Sequence, residues 1–296
     1  MDEFTLTPQQ ICFFDTFGFI KFPGLFNDRI DDIIEAFEDV WSQNDQRGFN
    51  GKVHMQDRTK RSTIVPFADQ NEYLCTLLDD RRGIAIASAL CGDDFNYIGG
   101  DGNLMSTDGN WHSDGYIPDR IRMIKLGFYL DPLTRYTGAL RVIPGSQHCG
   151  DKFGDALHDG TALDISHPEN YPKWDITPDE IPCQVIENTP GDLIVFNVNV
   201  KHVSLYGSTR RRMFVLGITA RFPDDRIEEL QEMLAFDGRF MKDRAIGEKM
   251  IATAGPERMK HLQQVLDNDF KRKAVADEHR KKLTEVRAST AGGRLE

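Results

Sequence analysis

The chain has 296 residues, 40% of them hydrophobic and 28% charged, with a formal net charge of −11. That length can bury a full core, in one large domain or one domain with an appendage, and no apolar run of about 18 residues exists to span a bilayer. The acidic balance repels nucleic acid and anionic membrane surfaces at long range, so the expected partner is a small molecule, with no nucleic acid and no membrane.

Met1-Asp2-Glu3-Phe4 lacks the basic and then apolar layout of a secretory signal. The five cysteines are scattered, odd in number and never spaced Cys-x-x-Cys, which reads as buried free thiols in a reducing compartment. A cytoplasmic protein, monomeric or homodimeric, is expected.

Thr7-Pro8-Gln9-Gln10 combines an N-cap, a proline at the first helical position and a capping-box partner, so a helix is predicted from Pro8 to about Phe17. Gly18–Gly24 reads as a strand closed by a turn, and Ile30, Ile33, Ile34, Phe37 and Trp41 recur at helical spacing. From Gly48 to Arg61 the chain is polar and aperiodic, as a mobile lid would be, with Arg58, Lys60 and Arg61 available to an anionic substrate or simply solvated.

Between Phe95 and Phe222 short apolar or alternating runs broken by turn residues replace the helical texture. Met123–Leu130, Ala139–Ile143, Gln184–Glu187, Asp192–Val198 and Met213–Thr219 are the predicted strands. A mainly β fold with flanking helices accommodates them, built on a double-stranded β-helix of jelly-roll or cupin type. After Asp224 two helical stripes follow, Ile227, Leu230 and Leu234, then Met259, Leu262, Leu266 and Phe270. The expected organisation is a β-helix domain over 1–224, a helical appendage over 225–289 and a disordered tail over 290–296.

Trp111-His112-Ser113-Asp114 and Lys201-His202-Val203-Ser204 carry the chemistry. On a strand, the side chains of His112 and Asp114 point the same way, and His202 from a neighbouring strand completes three ligands on one face of an octahedron. That set is the 2-His-1-carboxylate triad of non-haem Fe(II) oxygenases, which leaves coordination positions for a chelating 2-oxo acid and for O₂. Arg210-Arg211-Arg212 follows at the start of an apolar strand, where a planar guanidinium can grip the distal carboxylate of 2-oxoglutarate. Lys125, on a predicted strand near the core, is a second cationic candidate for cofactor binding, or a snorkelling surface lysine. Gly138 and Pro144-Gly145 read as turns beside the site and His148 as a surface residue. Trp111, Tyr116 and Phe128 are expected near the site as packing aromatics.

The sequence resembles the phytanoyl-CoA dioxygenase family of Fe(II)/2-oxoglutarate oxygenases. The resemblance runs over residues 5–222 and rests on Leu6–Gln10, Asp15–Ile20, Trp111–Asp114, Leu130-Asp131-Pro132, Gly138–His148, Gly191–Phe196 and Lys201-His202. It implies a double-stranded β-helix, iron held by His112, Asp114 and His202, and an arginine salt bridge to 2-oxoglutarate. The chain departs from the family after His202, where Val203-Ser204 stands in place of the usual Gly-Ser, and the arginine comes one or two positions early, at Arg212 or Arg211. Strand parity favours Arg211, whose same-face successors Met213, Val215, Gly217 and Thr219 include small residues; a shortened turn would favour Arg212.

The expected reaction is hydroxylation of an unactivated C–H bond with release of succinate and CO₂. Asp114 argues against halogenation, which needs that coordination position for halide. A cupin-type oxygenase or isomerase without a 2-oxo acid and a non-catalytic binding relative remain the alternatives.

Overall fold

The computed structural model describes residues 4–43, 62–104, 111–114, 119–150, 179–207 and 211–292. The expected lid at Gly48–Arg61, together with Tyr116 and Arg210, lies outside the described residues.

Thr7 opens the first helix, α1 (Pro8–Phe17), with both halves of the capping box formed, and Gly18 ends it at φ 79°, a left-handed conformation natural to glycine. Strand β1 (Phe19–Phe22) follows, then α2 (Ile30–Gln43), which buries Ile33, Ala36, Phe37, Val40 and Trp41 on one face. The remaining strands are β2 (Ser62–Ile64), β3 (Asn96–Tyr97), β4 (Gly102–Leu104), β5 (Met123–Tyr129), β6 (Leu140–Val142), β7 (Gln184–Ile186), β8 (Leu193–Asn197), β9 (His202–Ser204) and β10 (Arg212–Thr219).

The larger sheet has the order β1-β8-β5-β10-β4-β2, with β3 also on β10, and the smaller has the order β7-β6-β9. Every strand pairing among the described residues is antiparallel, and from β5 onward the chain changes sheet at β5–β6, β7–β8, β8–β9 and β9–β10, as a jelly roll requires. Both faces of the larger sheet are covered. Ile124, Leu126 and Phe128 of β5 and Phe214, Leu216 and Ile218 of β10 meet the helices, with Phe128 stacked on Phe214 at 4.8 Å between centroids. The opposite parity faces the smaller sheet and lines the cavity described below. Phe128, expected near the site, therefore lies in the helix-backed core, because its strand parity turns it away.

The C-terminal helices share that core. Leu230, Leu234, Met250, Leu262 and Val265 are buried in the same cluster as Ile33 and Phe37. Gln264 ties the helix Pro256–Asn268 to the sheet, accepting from Asn96 at 2.8 Å and from the Phe222 N–H at 3.0 Å while donating to the Phe222 carbonyl. The second stripe is one residue too long: that helix stops at Asn268, and Phe270 is 63% exposed. Asp269 ends it instead, buried and accepting from Arg244 Nε and the Ala245 N–H. The last helix, Arg272–Gly292, reaches into the segment expected to lack order from Thr290; residues 293–296 lie outside the described residues.

Candidate metal centre and its cavity

His112 and His202 form one antiparallel bridge, each N–H donating to the other's carbonyl at 3.1 and 2.9 Å. Such a pair projects both imidazoles from the same face, and their ring centroids lie 4.3 Å apart. The expected strand at His112–Asp114 is reduced to this bridge plus one hydrogen bond, from the Asp114 N–H to the Val198 carbonyl at 2.9 Å. Those bonds suffice to converge the three side chains: one ligand atom from each of His112, Asp114 and His202 lies within 4.8 Å of the others. His112 Nε2 is 3.8 Å, and His202 Nε2 3.6 Å, from the Asp114 carboxylate.

The electrostatics suit a cation. His202 Nδ1 lies 2.9 Å from the Val200 carbonyl, which can only accept, so Nδ1 carries the proton and Nε2 presents its lone pair to the cluster. Burial, reinforced by neighbouring His112, pushes the His202 pKa down to about 4, so the ring is neutral at pH 7 and ready to ligate. Burial alone would raise the Asp114 pKa, but Lys125 and the two imidazoles outweigh it and hold the carboxyl well below the ordinary range. Lys125 Nζ sits 2.9 Å from Asp114 Oδ2 and 3.5 Å from Asp101 Oδ1, and these partners overcome the burial that opposes its charge. Two imidazole nitrogens and one anionic oxygen on one face match the donor set of Fe(II) in this geometry.

The cluster opens into a cavity of about 410 Å³ between the two sheets and the C-terminal helices. Met123, Lys125 and Tyr129 of β5 and Met213, Val215 and Gly217 of β10 share its wall, as strand parity requires. The two candidate arginines part here. Arg211 lines the cavity, donating from Nε to the Gly138 carbonyl at 2.8 Å and from Nη2 to Ser204 Oγ at 2.7 Å, with its guanidinium over the Tyr129 ring. Arg212 faces the other way: its backbone N–H and guanidinium bind Asp131 at 2.8 and 2.7 Å, and Nη1 donates to Glu38 at 2.9 Å.

Gly138 is more than a turn former. It sits at φ 96°, and a Cβ there would come within 2.9 Å of Arg211 Cδ. His148 is exposed and away from the cluster, its Nε2 3.0 Å from the Asp15 carbonyl. Trp111 packs with Ile143, Ile181, Val203 and Leu205 in a small core beside the bridge.

Sequence reasoning missed Asp101, Tyr129, Ser204 and the C-terminal contribution of Met233, Asp237 and Arg239. Ser204 and Tyr129 were reachable through parity, each sharing a strand face with a residue already singled out, His202 and Lys125. Asp237 and Arg239 follow a helix end and carry no periodic signal.

The phytanoyl-CoA dioxygenase family profile matches residues 14–213. Among solved structures the chain is similar to the non-haem α-ketoglutarate-dependent carbocyclase SnoK from nogalamycin biosynthesis, at 14% identity and TM-score 0.54 over 72% of this chain and 84% of that one. HygX from Streptomyces hygroscopicus, solved with nickel and 2-oxoglutarate, aligns at 17% identity and TM-score 0.54 over 74% and 88%. EctD from S. alaskensis, solved with bound Fe, aligns at 20% identity and TM-score 0.54 over 73% and 77%. At these identities the likeness is one of fold. The chain matches no curated protein.

Proposed function

Because the chain belongs to the phytanoyl-CoA dioxygenase family and is thereby an Fe(II)- and 2-oxoglutarate-dependent dioxygenase, we propose that His112, Asp114 and His202 hold the iron and Arg211 the distal carboxylate of 2-oxoglutarate. The convergence of the three ligand atoms on a cavity that Arg211 also lines is the observation that carries this reading. The bound metal supplies a site at which O₂ is reduced, with 2-oxoglutarate decarboxylated to succinate and CO₂ while a substrate C–H bond is hydroxylated.

The chain's own residues prepare that site. Val200 fixes the His202 tautomer through its carbonyl. Lys125 holds the Asp114 carboxylate by one oxygen. Ser204 and Gly138 fix the plane of the Arg211 guanidinium, and Tyr129 supports it from below. Arg212 is bound to Asp131 and Glu38 and is the weaker candidate for the clamp. The substrate is a small molecule that shares the cavity with the co-substrate.

No helix among the described residues is long and apolar enough to cross a membrane. The cysteines are free, but only Cys75 and Cys91 are buried as expected, while Cys12 and Cys149 are exposed; free thiols at the surface favour a reducing, cytoplasmic location.

The test is anaerobic titration with Fe(II) and 2-oxoglutarate, following the visible charge-transfer band that chelation of ferrous iron produces. The expected result is a saturable band, lost in His112→Ala and His202→Ala. A wild-type protein without the band would overturn the assignment.

A further inference from the structure

Beyond the metal, the cavity's far wall comes from a part of the chain that the family profile does not reach. Residues 14–213 carry the family match, whereas Met233, Phe236, Asp237, Arg239 and Phe240 all follow it and line the same cavity. The helix Ile227–Phe236 ends there and a short turn of 3-10 helix, Asp237–Phe240, continues it.

Arg239 is held in an unusual way. Its guanidinium carbon lies 3.8 Å from the Phe236 ring centroid and 4.9 Å from that of Phe240. Stacking of this kind fixes the plane of the fork while leaving its N–H edge to point elsewhere. Among the described residues the guanidinium makes no hydrogen bond, and its one ion pair, to Asp237 Oδ1, is long at 3.5 Å. Phe236 is 63% exposed even as it lines the cavity, so the stack stands at the cavity's mouth. Arg120 reaches the same wall from the strand side, its Nη2 3.9 Å from Met233 Sδ.

The charge balance points the same way. Among the described residues, the cavity is lined by five cationic side chains and three carboxylates. Ferrous iron and the 2-oxoglutarate dianion cancel each other, so within this described lining the cationic side chains outnumber the carboxylates, in a chain of formal net charge −11. A surplus of that sign, focused in a partly enclosed cavity, attracts an anion. The same lining also offers apolar surface, from Met213, Val215, Leu140 and Phe196.

We propose that the Arg239 stack, with Arg120, is the subsite that selects the substrate, and that the substrate is a small anion whose carboxylate or phosphoryl group binds there while a saturated carbon skeleton crosses to the metal. The inference rests on the function proposed above for the metal end. A bidentate guanidinium–oxyanion pair fixes one end of the molecule and thereby chooses which carbon lies beside the iron.

Hexanoate, hexanamide and hexylamine share a skeleton and differ in charge, so calorimetric titration of each into protein saturated with 2-oxoglutarate isolates the subsite. Hexanoate should bind about tenfold or more tightly than hexanamide, since a charge-assisted pair replaces a neutral one, and hexylamine should bind weakest. Arg239→Gln should bring hexanoate down to the level of hexanamide, while Arg239→Lys, which keeps the charge and loses the fork, should restore part of the difference. Retained cooperative melting in both variants shows that they fold. Hexanamide or hexylamine binding as well as hexanoate, no binding by any of the three, or an unchanged preference in Arg239→Gln would overturn the subsite. An anaerobic Fe(II) titration of the same protein, read by the charge-transfer band, separates the two readings. A hexanoate preference in a protein that gives no charge-transfer band would refute the metal assignment alone. A band without the preference would refute the subsite alone.

Discussion

The two ends of the cavity are built differently. The metal end is carried by strands and by the backbone bridge between His112 and His202, all within the segment that the family profile covers. The far end hangs on a helix terminus and a turn after that segment. Strands locked in a ladder hold ligand atoms to fractions of an ångström, which chemistry at a metal needs. A helix end can change its side chains without disturbing that ladder, which suits selection of a substrate.

The largest effect should come from breaking the metal end. His112→Ala, Asp114→Ala and His202→Ala should each abolish succinate formation, because each removes one of the three proposed ligands. Their stabilities should differ: Asp114→Ala also strips Lys125 of its 2.9 Å partner and should lose about 1–3 kcal/mol more than His112→Ala. Succinate assays and urea melts on the three variants check both halves, and full turnover in either histidine variant would refute the ligand assignment.

Next in size is the contrast between adjacent arginines. Arg211→Ala should weaken 2-oxoglutarate binding by about 2–4 kcal/mol, a factor of roughly 30 to 1,000, with modest loss of stability. Arg212→Ala should do the reverse, leaving 2-oxoglutarate affinity near that of the wild type while Asp131, 4% exposed, loses its cation. Equal small effects on affinity would mean that neither is the clamp.

How far this division could be read beforehand depended on whether the signal was local. His112-x-Asp114 and His202 are short motifs, and Arg211 followed from counting alternate residues along one strand. That parity held because β10 is regular from Arg212 to Thr219, with Phe214, Leu216 and Ile218 on one face and Met213, Val215 and Gly217 on the other. The same counting would have turned Phe128 away from the site. The helices after Asp224 were legible as stripes, but a stripe says nothing about what the next turn presents. Asp237 and Arg239 reach the cavity only because the C-terminal helices pack onto the sheet, and that is a tertiary fact. Phe270 shows the same limit, since apolar spacing alone cannot tell where a helix stops.

A third effect tests the seam that joins the far end to the rest. Asp69 is buried and accepts hydrogen bonds from the Tyr97 hydroxyl and, at 2.6 Å, from the Gly247 N–H, linking the C-terminal segment to β3. Burial raises its pKa from 3.8 to about 6, the hydrogen bonds only partly opposing it. A carboxyl whose folded pKa is raised contributes stability that is fully present below about pH 3.8 and lost as pH rises through 6, about 3 kcal/mol in all. Asp69→Asn cannot titrate, so its stability should fall less than that of the wild type between pH 4 and 7. Urea midpoints measured across that range decide it, and parallel profiles would mean that Asp69 is ionised in the folded protein throughout.

The smallest predicted effect sharpens the comparison at the metal end without touching a charge. Gly138 accepts from Arg211 Nε through its carbonyl and sits at φ 96°, where an L side chain is strained. A Cβ at this position meets Arg211 Cδ at 2.9 Å and the Gly207 Cα at 3.2 Å. Since Gly207 is backbone, the guanidinium stem is the part that gives way. Gly138→Ala should therefore cost about 1–2 kcal/mol of stability from the backbone and shift Arg211 away from Ser204. The consequence is a several-fold weaker 2-oxoglutarate complex with an unchanged iron affinity, since the atoms nearest the added Cβ belong to Arg211 and Gly207 and to none of the proposed ligands. Paired titrations of Fe(II) and of 2-oxoglutarate on this variant separate the two. If 2-oxoglutarate affinity stays at the wild-type value while stability falls, the glycine serves the turn alone and the Arg211 guanidinium is not positioned through it.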